Sequence, residues 1–425
     1  MSQSTITLII IAATCILYLT ERFSVALTTV LGMLALVFTG VLTFNEAFAC
    51  FSSTTFMLVL GMIIIVDSLM ESGVAGKLGH TLSRLMGMNE KAFAIIVFFT
   101  SGILSMFSNN TALITMYMPF IASLAITSKG RITKKMTYLP LAMGSLIGGT
   151  GSLAGSTAPL LANDVLETTG VKTMRFFTPA PVALTVMAVI AICYWLFLYD
   201  LQKKWFDFDE VVSEEENKAE EFQIDKRKAI ISVSVFVVCI VLFVIQPFGW
   251  ELGLIAVAGA VVLMVTGCVH GQLAMSNMNW SALVTVGAAL AIAKGFVASG
   301  VGAVIMNWLV TVLGAWIVKP AALVALFLLA GFLLSQFMAN GSLVSMLAAM
   351  AVPMAIQIGM DPMPVALACV FGSSLAMATP VATLTITMVQ VAGYRFKDYL
   401  RMGGLVGLIG LVTAWAAIVL FYGLL

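Results

Sequence analysis

Two short polar breaks interrupt long apolar runs in this chain, Ser108-Asn109-Asn110-Thr111 and Ala339-Asn340-Gly341-Ser342. A helix broken at such a point frees backbone N–H groups at one helix start and carbonyls at the preceding helix end. It therefore offers partial positive charge to an anion and oxygen ligands to a cation. Asn, Ser and Thr add side-chain oxygens and donors without burying a charge. One further break follows in each half: Gly148-Gly149-Thr150-Gly151-Ser152 with Gly155-Ser156-Thr157-Ala158-Pro159, and Ala378-Thr379-Pro380-Val381-Ala382-Thr383. The first is too rich in Gly for a continuous helix, and the second carries a helix-breaking Pro. Four breaks meeting at one depth would surround a small solute. The candidate binding residues are Asn109, Asn110, Thr111, Gly155, Ser156, Thr157, Asn340, Gly341, Ser342, Ala382 and Thr383. The competing role for such residues is hydrogen bonding between packed helices. The Gly-rich run lacks the Lys-Ser/Thr of a phosphate loop, which argues against a nucleotide.

The elements that hold these breaks are membrane helices. Of 425 residues, 61% are hydrophobic and 10% charged, too few polar groups to cover a soluble globule. A span needs about 20 apolar residues. Ten segments qualify, near 5–20, 24–42, 53–72, 136–160, 176–199, 229–246, 251–269, 281–300, 363–391 and 402–424. The first reads as a mature span, not a cleaved signal. Two regions, 92–127 and 320–358, are too long for one helix and carry the Asn-bearing quartets near their middles. They read as re-entrant hairpins with the quartet at the tip, the alternative being two helices joined by an external loop. The fold class expected is an all-α polytopic membrane protein.

Landmarks recur: Ser72-Gly73-Val74 as Ser299-Gly300-Val301, Asn110 as Asn340, and Gly144-Ser145 as Gly372-Ser373, at offsets of 227, 230 and 228. Residues 1–199 thus form a first repeat and 229–425 a second, each with five spans and one hairpin; an odd number of spans inverts the second copy. The joining segment, 200–228, holds 16 of the 41 charged residues and reads as a solvated linker. Basic residues at Lys77, Arg84, Lys91, Lys129, Arg131, Lys134, Lys135, Lys203, Lys204, Lys226, Arg227, Lys228, Arg395, Lys397 and Arg401 all fall on one side of this arrangement, with Lys172, Arg175 and Lys319 the outer exceptions. That side is cytoplasmic, so the linker is cytoplasmic and both termini lie outside the cell membrane. The six cysteines are scattered in apolar runs and read as packing residues. With a net charge of +1 and no basic tract interleaved with aromatics, nucleic acid is not an expected partner.

These residues resemble the divalent anion/sodium symporter family, within the wider superfamily of dicarboxylate, citrate and sulfate carriers. The resemblance runs over nearly the whole chain. That family repeats Ser-Asn-Thr at two hairpin tips; Asn109-Asn110-Thr111 matches the first, with Asn109 at the Ser position. Gly155-Ser156-Thr157 is similar to the first helix break, and Pro380-Val381-Ala382-Thr383 to the second. The resemblance implies scaffold and transport domains, a homodimer, an elevator-like movement and sodium as coupling ion. Sodium would sit beside each tip, at Ser108, Asn109, Asn110 and Gly155 in the first half and at Asn340 and Ala382 in the second. It implies no other cofactor. Ala339-Asn340-Gly341 keeps only the Asn of the second motif, and Pro159 and Leu384-Thr385-Ile386 replace further family residues, so the first half is the better furnished for a cation. The chain also begins directly with the repeat, without the extra first helix of longer relatives.

Asp67 and Lys294 occupy equivalent repeat positions inside spans, and a structural ion pair or a role in proton coupling follows for them. Glu71 and Asp164 fall near span ends and read as interfacial. The expected activity is secondary transport of a small organic dianion of the C4-dicarboxylate type, by cation-coupled symport or anion exchange. A sodium/proton antiporter, or a carrier of an inorganic or tricarboxylate anion, is the alternative. No paired carboxylates, His cluster or Ser/His arrangement suggests an enzyme.

Overall fold

A computed structural model describes residues 2–20, 23–72, 89–128, 131–208, 226–269, 280–301, 304, 311, 319–336, 340–379 and 383–424. Among these the regular structure is helical, without a strand. In hydrocarbon a backbone must satisfy its own polar groups, and a helix does this within one segment. The first half comprises α1 (Gln3–Thr20), α2 (Val25–Phe38), α3 (Thr54–Glu71), α4 (Glu90–Ser105), α5 (Asn110–Thr127), α6 (Lys134–Gly149), α7 (Thr157–Thr168) and α8 (Ala180–Trp205). The second comprises α9 (Lys226–Ile245), α10 (Leu252–Val265), α11 (Trp280–Ala298), α12 (Pro320–Leu334), α13 (Asn340–Gln357), α14 (Met363–Ser374) and α15 (Phe396–Phe421). A short helix, Leu384–Met388, follows α14.

Packing partners exchange between the halves in a regular way. α2 packs on α11 and α10 on α3; α4 and α5 both pack on α6, and α12 and α13 both on α14; α7 packs on α13, and Leu384–Met388 on α5. The crossing of α4 with α6 is close because Gly102 faces Gly148: a Cβ on Gly148 would strike the Gly102 backbone. Its counterpart is the crossing of α12 with α14, where Gly331 meets Gly372 and Ser373. Small residues at such crossings let backbones approach where lipid supplies no hydrophobic drive between helices.

Two sets of helices emerge from these contacts. One contains α1, α2, α3, α9, α10 and α11; the other contains α4 to α8 and α12 to α15. The helix-to-helix contacts between the sets run chiefly through α11 on α13, α11 on α7 and α3 on α7. At one end of the molecule, residues flanking several loops converge. Lys91 pairs with Asp200 at 3.3 Å, Gln202 donates to the Lys135 carbonyl at 2.9 Å, and Tyr394 OH donates to the same carbonyl at 2.9 Å.

Three expectations need correction. The segment from Asp200 is not solvated throughout: helix α8 continues to Trp205, and Phe206 is buried, packed with Phe208 against the Tyr394 ring. Asp67 and Lys294 form no ion pair; the one ion pair among the described residues is Lys91–Asp200. Lys294 interacts electrostatically with Glu46 and Cys50, before the start of α3, whereas Asp67 lies 13 residues into that helix, about 20 Å away along its axis. Asp164, expected at the interface, is 3% exposed, because α7 is covered by α13, α14, α11 and α3.

Candidate functional site

The first tip forms where α4 ends and α5 begins. Asn109 is the N-cap of α5, its side chain accepting from Thr111 N at 2.9 Å, and it is exposed. This satisfies one of the orphan donors of the helix start. Asn110 turns inward: its Oδ1 accepts a hydrogen bond from Ser105 Oγ, which lies 3.1 Å from Ser145 Oγ on α6. The same amide oxygen would lie 2.5 Å from a Cβ on Gly149. Ser108 and Thr111 are half-buried beside it.

The helix break after α6 is fastened to this tip. Ser152 Oγ donates to the Met106 carbonyl at the C-terminal end of α4 and accepts from Ala154 N and Gly155 N at 3.0 and 3.1 Å. Gly155 is then drawn so close that a Cβ there would collide with the Ser105 carbonyl and lie 2.6 Å from the Gly149 carbonyl. Gly155 lets those two carbonyls come this close, and Gly149 leaves room for Asn110 Oδ1. Ser156 ends the break as N-cap of α7, yet makes no capping bond, and its buried Oγ has no hydrogen-bond partner.

The second half repeats the fastening with other residues. Thr379 Oγ1 donates to the Gln336 carbonyl at 2.6 Å, and Gln336 Oε1 accepts from Ala378 N at 3.0 Å. The Gln336 amide also donates to the Phe332 carbonyl at 2.9 Å. Each half thus uses a hydroxyl from the helix break to satisfy a carbonyl at the end of the first hairpin helix. Asn340 opens α13, and its buried Oδ1 has no partner. Gly341 lies against the start of α7: Thr157 Oγ1 would be 3.1 Å from a Gly341 Cβ. The second tip therefore meets the first half's helix break, bringing Asn340, Gly341, Ser156 and Thr157 together. Thr383 caps Leu384–Met388 by accepting from Ile386 N at 3.3 Å. Ala382 lies outside the described residues, as does the side chain of Ser342.

Sequence reasoning missed Ser105, Ser145, Ser152 and Gln336. The first two sit at helical spacing in apolar runs and look like small packing residues. Ser152 lies inside the recognised Gly-rich break, where its hydroxyl could have been singled out; Gln336, amid Leu and Phe, is itself an unusual residue for such a run. Among the described residues no three His, Cys, Asp or Glu side chains gather.

A profile of the citrate transporter family, CitMHS, matches residues 15–372. The chain belongs to the citrate transporter family. A transporter of Haemophilus influenzae, described as uncharacterized, is 24% identical over 96% of this chain and 89% of its own length. The sodium-dependent dicarboxylate transporter SdcS of Staphylococcus aureus is 22% identical over 86% of this chain and 76% of its own. The uncharacterized transporter YfbS of Escherichia coli is 27% identical over 44% of this chain, and the match spans only 30% of that longer protein. The fold is similar to that of the Alcanivorax borkumensis YdaH transporter, with a TM-score of 0.62 at 16% identity over 92% of this chain and 89% of that one. MtrF of Neisseria gonorrhoeae, described with antimetabolite efflux pumps, gives 0.59 at 17% identity over 92% and 85%. The chain is accordingly a multi-pass membrane transporter and not an enzyme.

Proposed function

We propose that this protein is a secondary carrier of small organic dianions of the C4-dicarboxylate type, working by cation-coupled symport or anion exchange. The observation that carries the reading is the meeting of α13 with α7: two helix N-termini come together there with Asn340 Oδ1 and Ser156 Oγ buried and unpartnered. Helix N-termini favour an anion, and buried polar atoms without partners are rare enough to call for one. The relation to the sodium-dependent SdcS supports sodium as coupling ion. Residues of the first half fit a hard cation: the carbonyls of Ser105 and Gly149 flank Gly155, and the Asn110 amide oxygen lies against Gly149. Bound there, sodium would supply positive charge that offsets the anion. The protein's own residues hold the oxygens in place, with Ser152 and Ser105 fixing the break and the tip.

The exchange of packing partners between halves supports an inverted repeat. The limited contact between the two helix sets suits an elevator-like slide of α4 to α8 and α12 to α15 against the rest, in a homodimer. The convergence of Lys91, Lys135, Asp200 and Tyr394 at one end supports a cytoplasmic side carrying the linker, with both termini outside the cell membrane.

The test is uptake into proteoliposomes of labelled succinate, citrate and sulfate, with sodium, proton and internal-anion gradients imposed separately. Succinate accumulation under a sodium or counter-anion gradient is expected. If no anion accumulates while a sodium gradient drives proton movement, the anion reading is overturned.

A further inference from the structure

The site described above makes no use of Asp164, seven residues into α7 from its start at Thr157. It is 3% exposed, and its Oδ2 is buried without a hydrogen-bond partner. A carboxylate so placed needs a counter-charge or several donors. The helices packed on α7 supply few candidates. α13 has no ionisable residue; α14 has only the buried Cys369; α11 has Lys294, half-buried; α3 has Asp67 and Glu71 at its far end. Among the described residues, the groups that act on Asp164 are Thr55, whose hydroxyl lies near it across the α3–α7 contact, and two that oppose a negative charge, Glu167 on α7 itself and Cys50. Lys294 acts electrostatically on Glu46 and Cys50 and is not among the groups that act on Asp164.

We propose that Asp164 is a proton-binding site that latches α7 to the start of α3, holding the site-bearing helix set in this position while protonated and releasing it when ionised. The neutral acid suits this dry contact beside Thr55, whereas the carboxylate requires water that this packing excludes. α7 joins the two regions directly: its first turn touches Gly341 at the second tip, and Asp164 faces α3 two turns later. The release it controls rests on the proposed sliding of one helix set against the other.

Hydrogen exchange in the full-length protein in nanodiscs, without substrate, tests the latch. After correction for the pH dependence of chemical exchange, amides of α7 are expected to lose protection by about tenfold between pH 5.5 and 8.5 relative to those of α9. Asp164→Asn, which stays neutral, is expected to remain protected throughout. Thr55→Val removes a donor to the ionised form and is expected to move the midpoint to higher pH; it also serves if Asp164→Asn fails to fold. No pH dependence in the wild type, or the same dependence in Asp164→Asn, overturns the latch. Absence of anion uptake in the separate liposome assay would overturn the carrier reading without touching this one.

Discussion

The two hairpin tips are built to the same plan and finished differently. In the first, Asn110 is engaged: Ser105 donates to its amide oxygen, and Ser145 stands behind Ser105. In the second, Asn340 is at the matching place with its amide oxygen buried and unengaged, and the bracing falls to Gln336, four residues earlier. A polar group that is satisfied internally contributes to the fold; one left unsatisfied costs stability and is kept for what it binds. The first tip is therefore braced by its own neighbours, whereas the second keeps an unpaired amide oxygen, as the proposed anion site requires.

Asn340→Ala gives the sharpest separation of the two. Transport should fall by about a hundredfold or more, equivalent to about 3 kcal/mol, while thermal stability of the purified protein stays level or rises, because the substitution removes a buried unpaired group. A large loss of stability would show that Asn340 has a structural partner and would erase the contrast. Asn110→Ala should instead lose both, with about 1–3 kcal/mol of stability gone as Ser105 loses its acceptor, and with the half-saturating sodium concentration raised several-fold in uptake assays. Sodium dependence unaltered in this variant would remove the first tip from the cation site. The fastenings of the two breaks should be equal: Ser152→Ala and Thr379→Val are each expected to cost about 1 kcal/mol in denaturant or thermal unfolding. A cost confined to one of them would break the equivalence of the halves. Smallest of all, Ser145→Ala should cost a few tenths of a kcal/mol, since Ser105 keeps Asn110 as its partner.

Much of this plan was readable from residue order alone. Asn109-Asn110 marks a helix start because Asn is a strong N-cap, and α5 does begin at Asn110. The Gly-rich stretch marks a break because backbone entropy and missing side chains disfavour helix there, and α6 does end at Gly149. What could not be read is which atoms are left without partners. Ser156 and Asn340 differ from dozens of other polar residues only in what surrounds them, and that depends on α7 meeting α13, residues about 180 apart in the chain. Asp164 misled for the same reason. Its place near the end of an apolar run suggested water, but α13, α14, α11 and α3 close over α7. The charge-rich linker misled in a milder way: Phe206 and Phe208 are two aromatics among many ionic neighbours, yet they dock on Tyr394.

Tyr394 also bears on the order in which the chain can be completed during synthesis. Its hydroxyl, donating to the carbonyls of Lys134 and Lys135 and accepting from Leu139 N, touches α6 some 255 residues upstream, while its ring receives Phe206 and Phe208. When this residue leaves the ribosome, α2, α3 and α6 have been made long before, while α10 and α11, which pack on α3 and α2, belong to the second half. The first half must therefore wait in the bilayer with unfilled faces, and its maturation is a late event tied to translation of the final tenth of the chain.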